Sequence, residues 1–458
     1  MNELISLKKL SQIVNGKLIG NNIKILNFSI DSKQIKQNCI FIAICGNKFD
    51  GHCFIHDAIK NGALAILVHK YININIPQII VLDTTIGLAK LSLWKRIKFK
   101  HNVIGITGSS GKTSVKEMTV CILKNKNKIL FTKKNMNNHI GVPLTLLKLQ
   151  NKYKHAIIEI GGNKINDISY IANLVKPNIA LINNISESHL EGFKSLKKII
   201  ENKSDIFKFL KNKGIAIINY DDKNQKKILK KLNNDKKIFT FSLRNNKADF
   251  FAKNIIILPN KIKFLLISPI GKILIKLFLI GGGTHNISNA LASAVLSFSV
   301  GSTLEEIAIG LKNFKPIKGR MYPIIIDQNK LIINDSYNAN PNSVNIAINI
   351  LKNFSGKKIL VIGDMLELGI YTIFYHKKIK KLILKSNIDY IFSIGKYSHY
   401  FTKNNINMES QHFYNKNMLV NQLFLIIKNF NHYTILFKGS RKNKIEILIK
   451  MLLEKLKC

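Results

Sequence analysis

Acidic residues are scarce in this chain of 458 residues, where 26 Asp and Glu stand against 71 Lys and Arg and leave a formal charge of +45. Arginine is scarcer still, confined to Arg96, Arg244, Arg320 and Arg441. An excess of this sign invites a nucleic-acid partner. The lysines run from end to end instead of gathering in a stripe or tail, and they accompany an abundance of Asn and Ile, which reads as compositional drift. No nucleic-acid partner is expected. Five cysteines, Cys39, Cys45, Cys53, Cys121 and Cys458, are an odd number without a C-x-x-C spacing. That excludes a disulfide framework and a zinc ribbon and suits a reducing cytoplasm. No apolar run approaches the roughly 20 residues of a spanning helix, and Met1 to Leu10 lacks the sustained apolar stretch of a signal peptide. A cytoplasmic protein without a membrane span is expected.

What is present is enough apolar material, 46% of residues, for packed cores, and a length that favours about three domains. Short Ile/Val-rich runs, each followed by a turn signal and a helical pattern, mark βα units and mostly parallel sheets. One set comprises Val103 to Thr107, His155 to Ile160, Ile179 to Asn183 and Ile215 to Asn219; a second comprises Lys358 to Ile362, Tyr390 to Ile394 and Thr434 to Phe437. Between them, Phe250 to Ile280 reads as extended segments broken at Pro259 and Pro269, more like a hairpin insertion than βαβ. Boundaries near residues 84 and 315 divide the chain into 1–84, 85–314 and 315–458. No internal repeat or low-complexity linker is evident.

The run Val103 to Thr107 leads straight into Gly108-Ser109-Ser110-Gly111-Lys112-Thr113 and a helical stretch from Ser114. Glycines let backbone N–H groups turn around phosphate oxygens, the lysine reaches the β/γ-phosphates, the threonine hydroxyl ligates Mg²⁺, and the helix N-terminus adds its dipole. Strand before and helix after favour this reading over a chance Gly/Ser turn. Glu159 ends the run His155 to Ile160 in an acid-poor chain. Its carboxylate would reach the same edge and complete a Mg²⁺ shell with Thr113, although a helix cap would also suit it.

A G-x-x-G-K-T loop of this shorter form resembles that of the Mur ligase family, and matching motifs run through the whole chain: Ser188-His189-Leu190-Glu191-Gly192-Phe193, Thr284-His285-Asn286-Ile287-Ser288-Asn289-Ala290, Gly319-Arg320-Met321, Asn334 to Pro341, Gly363 to Gly369 with His376, and Lys438-Gly439-Ser440-Arg441. The resemblance implies ATP and Mg²⁺ as cofactors and gives Glu159 a metal role. It makes His189 a ligand of a second Mg²⁺, and Lys203 a lysine carbamylated by CO₂ that helps to hold it. Carbamylation needs a neutral amine, hence a depressed lysine pKa. By the same resemblance His285, Asn286 and Asn289 lie against the adenine and metal region. Arg320, one of only four arginines, reaches the γ-phosphate as the domains close, and Asp335 belongs to the same nucleotide cleft. An Asn-capped helix start would equally explain the stretch after Thr284.

The resemblance also places the uridine nucleotide of the substrate against Ser32, Lys33, Gly46, Asp50 and His52. The muramyl peptide falls against Asn135, Asn137 and Asn138, with Asn338, Asn340, Lys438, Ser440 and Arg441 on the outer domain. The implied architecture is α/β in three parts: a small N-terminal uridine-nucleotide domain, a central mostly parallel P-loop-type ATPase domain, and a C-terminal Rossmann-like domain. The implied reaction adds D-alanyl-D-alanine to UDP-N-acetylmuramoyl tripeptide through an acyl phosphate, in a monomer. The alternatives are a sister ligase of the family or a folylpolyglutamate synthetase-like enzyme, and the D-S-Y-N-A-N-P and K-G-S-R stretches argue against both. Lys134, His139, Lys164, Ser204 and Thr284 depart from common family residues, as a decaying enzyme would. Because ATP residues come from two domains, an open arrangement would hold Arg320 away from the phosphate loop. Asp335 and His189 are candidates for the base that frees the attacking amine.

Overall fold

A computed structural model describes residues 4–46, 49–232, 235–403 and 408–457. Cys458 lies outside them; of the other cysteines, all free, Cys39 and Cys121 are buried. The chain forms three α/β layers in sequence order. The first sheet runs Lys17–Ile19, Gln78–Ile80, Ala63–Val68, Cys39–Ile42, Asn27–Ser29; its last four strands are parallel and Lys17–Ile19 is antiparallel to them.

A helix, Thr84–Lys98, links this layer to the next. Asp83 caps it, its carboxylate accepting from the N–H groups of Thr85 and Ile86. The helix packs on Leu7–Val14 on one side and on Gly141–Leu146 and Asp167–Val175 on the other. Near its end the Arg96 side chain is 1% exposed. It donates to the carbonyls of Val175, Phe99 and Lys176 and to Asn178 Oδ1 at 2.6–3.1 Å. Val175 and Lys176 end a helix, where orphan carbonyls and the negative end of the dipole favour a cation. Burial lowers the guanidinium to about 10, still charged at neutral pH. Arg96→Met is therefore expected to lower unfolding free energy by roughly 3 kcal/mol, because it strands several buried acceptors; an unchanged urea midpoint would mean that water replaces the guanidinium.

The central sheet has nine strands, in the order Gly271–Leu277, Lys261–Ser268, Phe250–Leu258, Lys237–Ser242, Ile215–Asn219, Ile179–Ile182, Asn102–Thr107, His155–Glu159, Ile129–Phe131. From Ile129–Phe131 to Phe250–Leu258 all neighbours are parallel. Both faces are covered by helices, which is why these strands read as continuous Ile/Val/Ala runs. The segment after Phe250 is no separate insertion: Phe250–Leu258 adds in parallel to Lys237–Ser242, and two antiparallel strands extend the same sheet, turning at the two prolines.

The third sheet runs Tyr322–Asp327, Lys330–Asp335, Tyr433–Lys438, Lys357–Gly363, Tyr390–Ile394, Glu409–Phe413. Its first pair is an antiparallel hairpin and the rest are parallel. The C-terminal strand ends of the second and third layers meet, and open α/β sheets bind ligands at such ends.

Candidate active site between the second and third layers

A cleft of about 730 Å³ lies where those strand ends meet. The strand Asn102–Thr107 turns through Gly108 to Gly111 into the helix Lys112–Leu123, whose first-turn amides have no intrahelical partner. Gly111 sits at φ +76°, and a Cβ there would meet the side-chain amides of Asn183 and Asn289 at 2.5 Å. The loop is braced from the next strand end: Ser109 N donates to Asn184 O, Ser110 N to Asn184 Oδ1, and Ser109 Oγ to Ser186 O, each at 2.9 Å. Lys112 Nζ donates to Gly108 O at 2.7 Å, and Lys203 Nζ reaches the same carbonyl at 3.2 Å. Burial, and then the neighbouring Lys112, push the Lys203 amine well below the ordinary lysine range. Lys112 is lowered by burial as well, with Glu159 opposing the shift and Arg320 adding to it.

Glu159 closes the strand His155–Glu159 at 2% exposure. Its Oε2 accepts from Thr113 Oγ1 at 2.9 Å and its Oε1 from Asn137 Nδ2 at 2.8 Å. Across the cleft, Arg320 Nη2 donates to Thr113 Oγ1 at 2.8 Å, and the guanidinium lies 4.0 Å over the Tyr337 ring. This is a closed arrangement of the two layers. Lys438, 2% exposed, pairs with Asp335 Oδ2 at 2.5 Å and donates to Asn338 O at 3.1 Å. Met321 N donates to its other oxygen at 3.1 Å, so each Asp335 oxygen accepts one hydrogen bond and keeps a further lone pair. Burial lowers His285 to about 4, so its ring is neutral, and its Nδ1 is buried without a hydrogen-bond partner.

Ser109, Ser110, Gly111, Lys112, Thr113 and Ser114 line the cleft, as do Asn135, Asn137, Asn138, Glu159, His189, His285, Asn286, Asn289, Arg320, Asp335, Asn338, Asn340 and Lys438. Several do local work. Asn138 Oδ1 accepts from Ile140 and Gly141 N at the start of a short helix, and Asn340 caps Pro341–Leu351 in a reciprocal box with Ser343. Lys134 holds φ +51°, left-handed backbone of the kind that favours glycine.

Other expected site residues are elsewhere. Ser440 Oγ accepts from Leu366 N, and Arg441 faces solvent paired with Glu446 at 2.9 Å; neither lines the cleft. Ser32, Lys33, Gly46, Asp50 and His52 belong to the first layer and also lie outside it. There Asp50 Oδ1 accepts from His52 N at 3.0 Å and lies 2.6 Å from His52 Nδ1. His376 is fully buried, its Nε2 accepting from Met365 N and its Nδ1 facing Thr372 O, which is a structural role.

His189 lines the cleft, but its Nδ1 faces Glu367 Oε2 at 2.5 Å. That hydrogen bond holds the Glu367 carboxyl below the usual range against the opposing effect of burial. Among the described residues no group of three or more His, Cys, Asp or Glu side chains gathers as a metal cage. Sequence reasoning placed Glu367 in a family motif and Asn183 at a strand end without giving either a role at the site, and it passed over Asn184. Acid scarcity, which singled out Glu159, would have flagged Glu367; nothing marked the asparagines in an Asn-rich chain.

Family models match along the chain: the Mur ligase family catalytic domain over residues 24–93, the Mur ligase middle domain over 106–297, and the Mur ligase glutamate ligase domain over 319–441. A UDP-N-acetylmuramoyl-tripeptide–D-alanyl-D-alanine ligase of Buchnera aphidicola subsp. Baizongia pistaciae is 45% identical, with 98% of each chain covered. The structure of MurF from Acinetobacter baumannii superposes with a TM-score of 0.92 at 30% identity over 99% of each chain. A MurF ligase from Thermotoga maritima in complex with ADP gives 0.83 at 27% identity, over 94% of this chain and 98% of that one. The chain belongs to the Mur ligase family of ATP-dependent ligases.

Proposed function

We propose that this enzyme joins D-alanyl-D-alanine to UDP-N-acetylmuramoyl tripeptide, the reaction that the names of its relatives describe. The observation that carries the mechanism is the 2.8 Å contact of Arg320 with Thr113, which brings a planar cation from the third layer onto the phosphate loop of the second. The tripeptide carboxylate attacks the γ-phosphorus of ATP, ADP departs, and an acyl phosphate results. Lys112 and Arg320 neutralise the charge that spreads over the transferring phosphoryl oxygens. The neutral amine of the dipeptide then attacks the acyl carbon, the amide forms as nitrogen gives up a proton, and phosphate leaves with the electron pair of the broken C–O bond and takes up that proton.

Mg²⁺ suits the donors present. Thr113 and Glu159 supply hard oxygens beside the loop, and this ion takes few protein ligands. Lys203 and His189 would serve a second ion, Lys203 after its amine adds to CO₂ and loses a proton; the depressed amine favours that addition. The bound metal would offset negative charge on the phosphates. His285, Asn286 and Asn289 would face the base, while the sets around Ser32 and Asp50 and around Asn135 would take the nucleotide and peptide of the other substrate. Residues 1–84, 85–314 and 315–458 would be the three domains. No helix among the described residues is long and apolar enough to cross a membrane, and a cytoplasmic monomer fits substrates that include ATP.

Phosphate release from ATP and Mg²⁺ tests the reading. Release that requires both the nucleotide tripeptide and D-alanyl-D-alanine is expected; release with the nucleotide dipeptide and a single amino acid would point to a sister ligase.

A further inference from the structure

The contact between His189 and Glu367 joins residues 178 apart in sequence, one on each side of the cleft. Both stand in left-handed backbone, His189 at φ +51° and Glu367 at φ +65°. Non-glycine residues in that region are strained by about 1–2 kcal/mol, and such strain persists only where the surrounding structure enforces it. Here the two strained residues face each other. The backbone reinforces the meeting: Glu191 N donates to Glu367 O at 3.1 Å, and Gly369, at φ +58°, packs on Glu191 so closely that a Cβ would lie 3.3 Å from its Cα. Backbone on both sides is thus shaped to bring one carboxylate to one imidazole.

The chemistry of the pair is directional. An ionised carboxylate only accepts hydrogen bonds, so the proton between them belongs to Nδ1 of the ring. With Nδ1 engaged by Glu367, Nε2 is the ring nitrogen left to meet a ligand, and no partner for Nε2 is found among the described residues. The ring sits in the cleft wall with Thr113 and Glu159. A histidine that ligates a metal characteristically gives its other N–H to a carboxylate, which fixes tautomer and orientation.

We propose that Glu367 is a positioning residue for His189: delivered by the third layer, it holds the proton on Nδ1 and presents Nε2 to a divalent cation, so that this second cation site is complete only when the layers are closed. The inference rests on the reading of His189 as a ligand. Domain closure and cation binding then become one event, and an enzyme held open would keep the cation site at Thr113 and Glu159 while losing the one at His189.

Mn²⁺ titration followed by electron paramagnetic resonance, on the full chain saturated with ADP so that no turnover occurs, tests this. The wild type should bind two ions and His189→Ala one. Glu367→Ala should weaken the second ion by about 10- to 100-fold, the usual effect of losing such a partner, with the first ion unmoved. Glu367→Gln, whose amide oxygen can still accept from Nδ1, should recover most of that loss, which a merely structural role would not predict. Second-ion affinity unchanged in Glu367→Ala but abolished in His189→Ala would overturn the positioning role and leave the ligand reading intact. A second ion retained by His189→Ala would overturn both.

Discussion

Lys112→Ala should reduce phosphate release by about 10²- to 10³-fold or more, the cost of removing one preorganised donor from a transferring charge. The structure indicates why the fold should survive. Lys112 Nζ spends its hydrogen bond on Gly108 O, and Lys203 Nζ stands ready at 3.2 Å from the same oxygen. The loop therefore keeps a donor, and the melting temperature should move by only a few degrees while turnover collapses. With one of its three donors on Gly108 O, the ammonium keeps two for an arriving phosphate. A variant that binds ADP normally and retains more than a tenth of wild-type turnover would remove Lys112 from the chemistry.

Arg320→Ala carries the second large effect, a fall in kcat of about 10³-fold with a small change in the KM for ATP, as for arginines that reach across to a transferring phosphoryl group. The guanidinium does two things at once, stacking on Tyr337 at 4.0 Å and donating to Thr113 at 2.8 Å. Lysine is a point charge that cannot reproduce a stacked planar fork, so Arg320→Lys should recover less than a tenth of the loss. Steady-state kinetics on both variants, with small-angle scattering to report closure, separates the possibilities. Full recovery by lysine would reduce the role to bulk charge, and an unaltered kcat in Arg320→Ala would exclude the residue from catalysis.

The strands that build the cleft were legible because they are buried on both faces and end at turn residues: Asn102–Thr107, His155–Glu159, Ile179–Ile182 and Ile215–Asn219 all follow from Ile/Val runs. Ile129–Phe131 is too short and too lysine-flanked to stand out, and the hairpin Tyr322–Asp327 with Lys330–Asp335 alternates weakly. Arginine scarcity was a mixed guide. It led correctly to Arg320 at the cleft, yet Arg441 is a solvent-facing partner of Glu446, and Arg96, which no motif contains, is the one that is buried. A guanidinium can be retained to satisfy helix-end carbonyls as readily as to meet a phosphate. Glu367 was unreadable as a partner of His189 because its position there depends on two layers docking, and periodicity carries no information about docking. Asn138 and Asn340, expected at the substrate, spend their side chains on helix starts, the commonest use of asparagine next to a helix.

The bracing of the phosphate loop by Asn184 has a thermodynamic consequence. Ser109 and Ser110 are tied to the neighbouring strand end by the protein's own hydrogen bonds, so the conformational entropy of that loop is surrendered during folding and need not be surrendered again when ATP arrives. The ordering that remains is the approach of the third layer. Nucleotide association should accordingly be fast and only weakly temperature-dependent, and the slow, entropy-limited passage of each catalytic cycle should be the swing that carries Arg320 onto a loop already waiting for it.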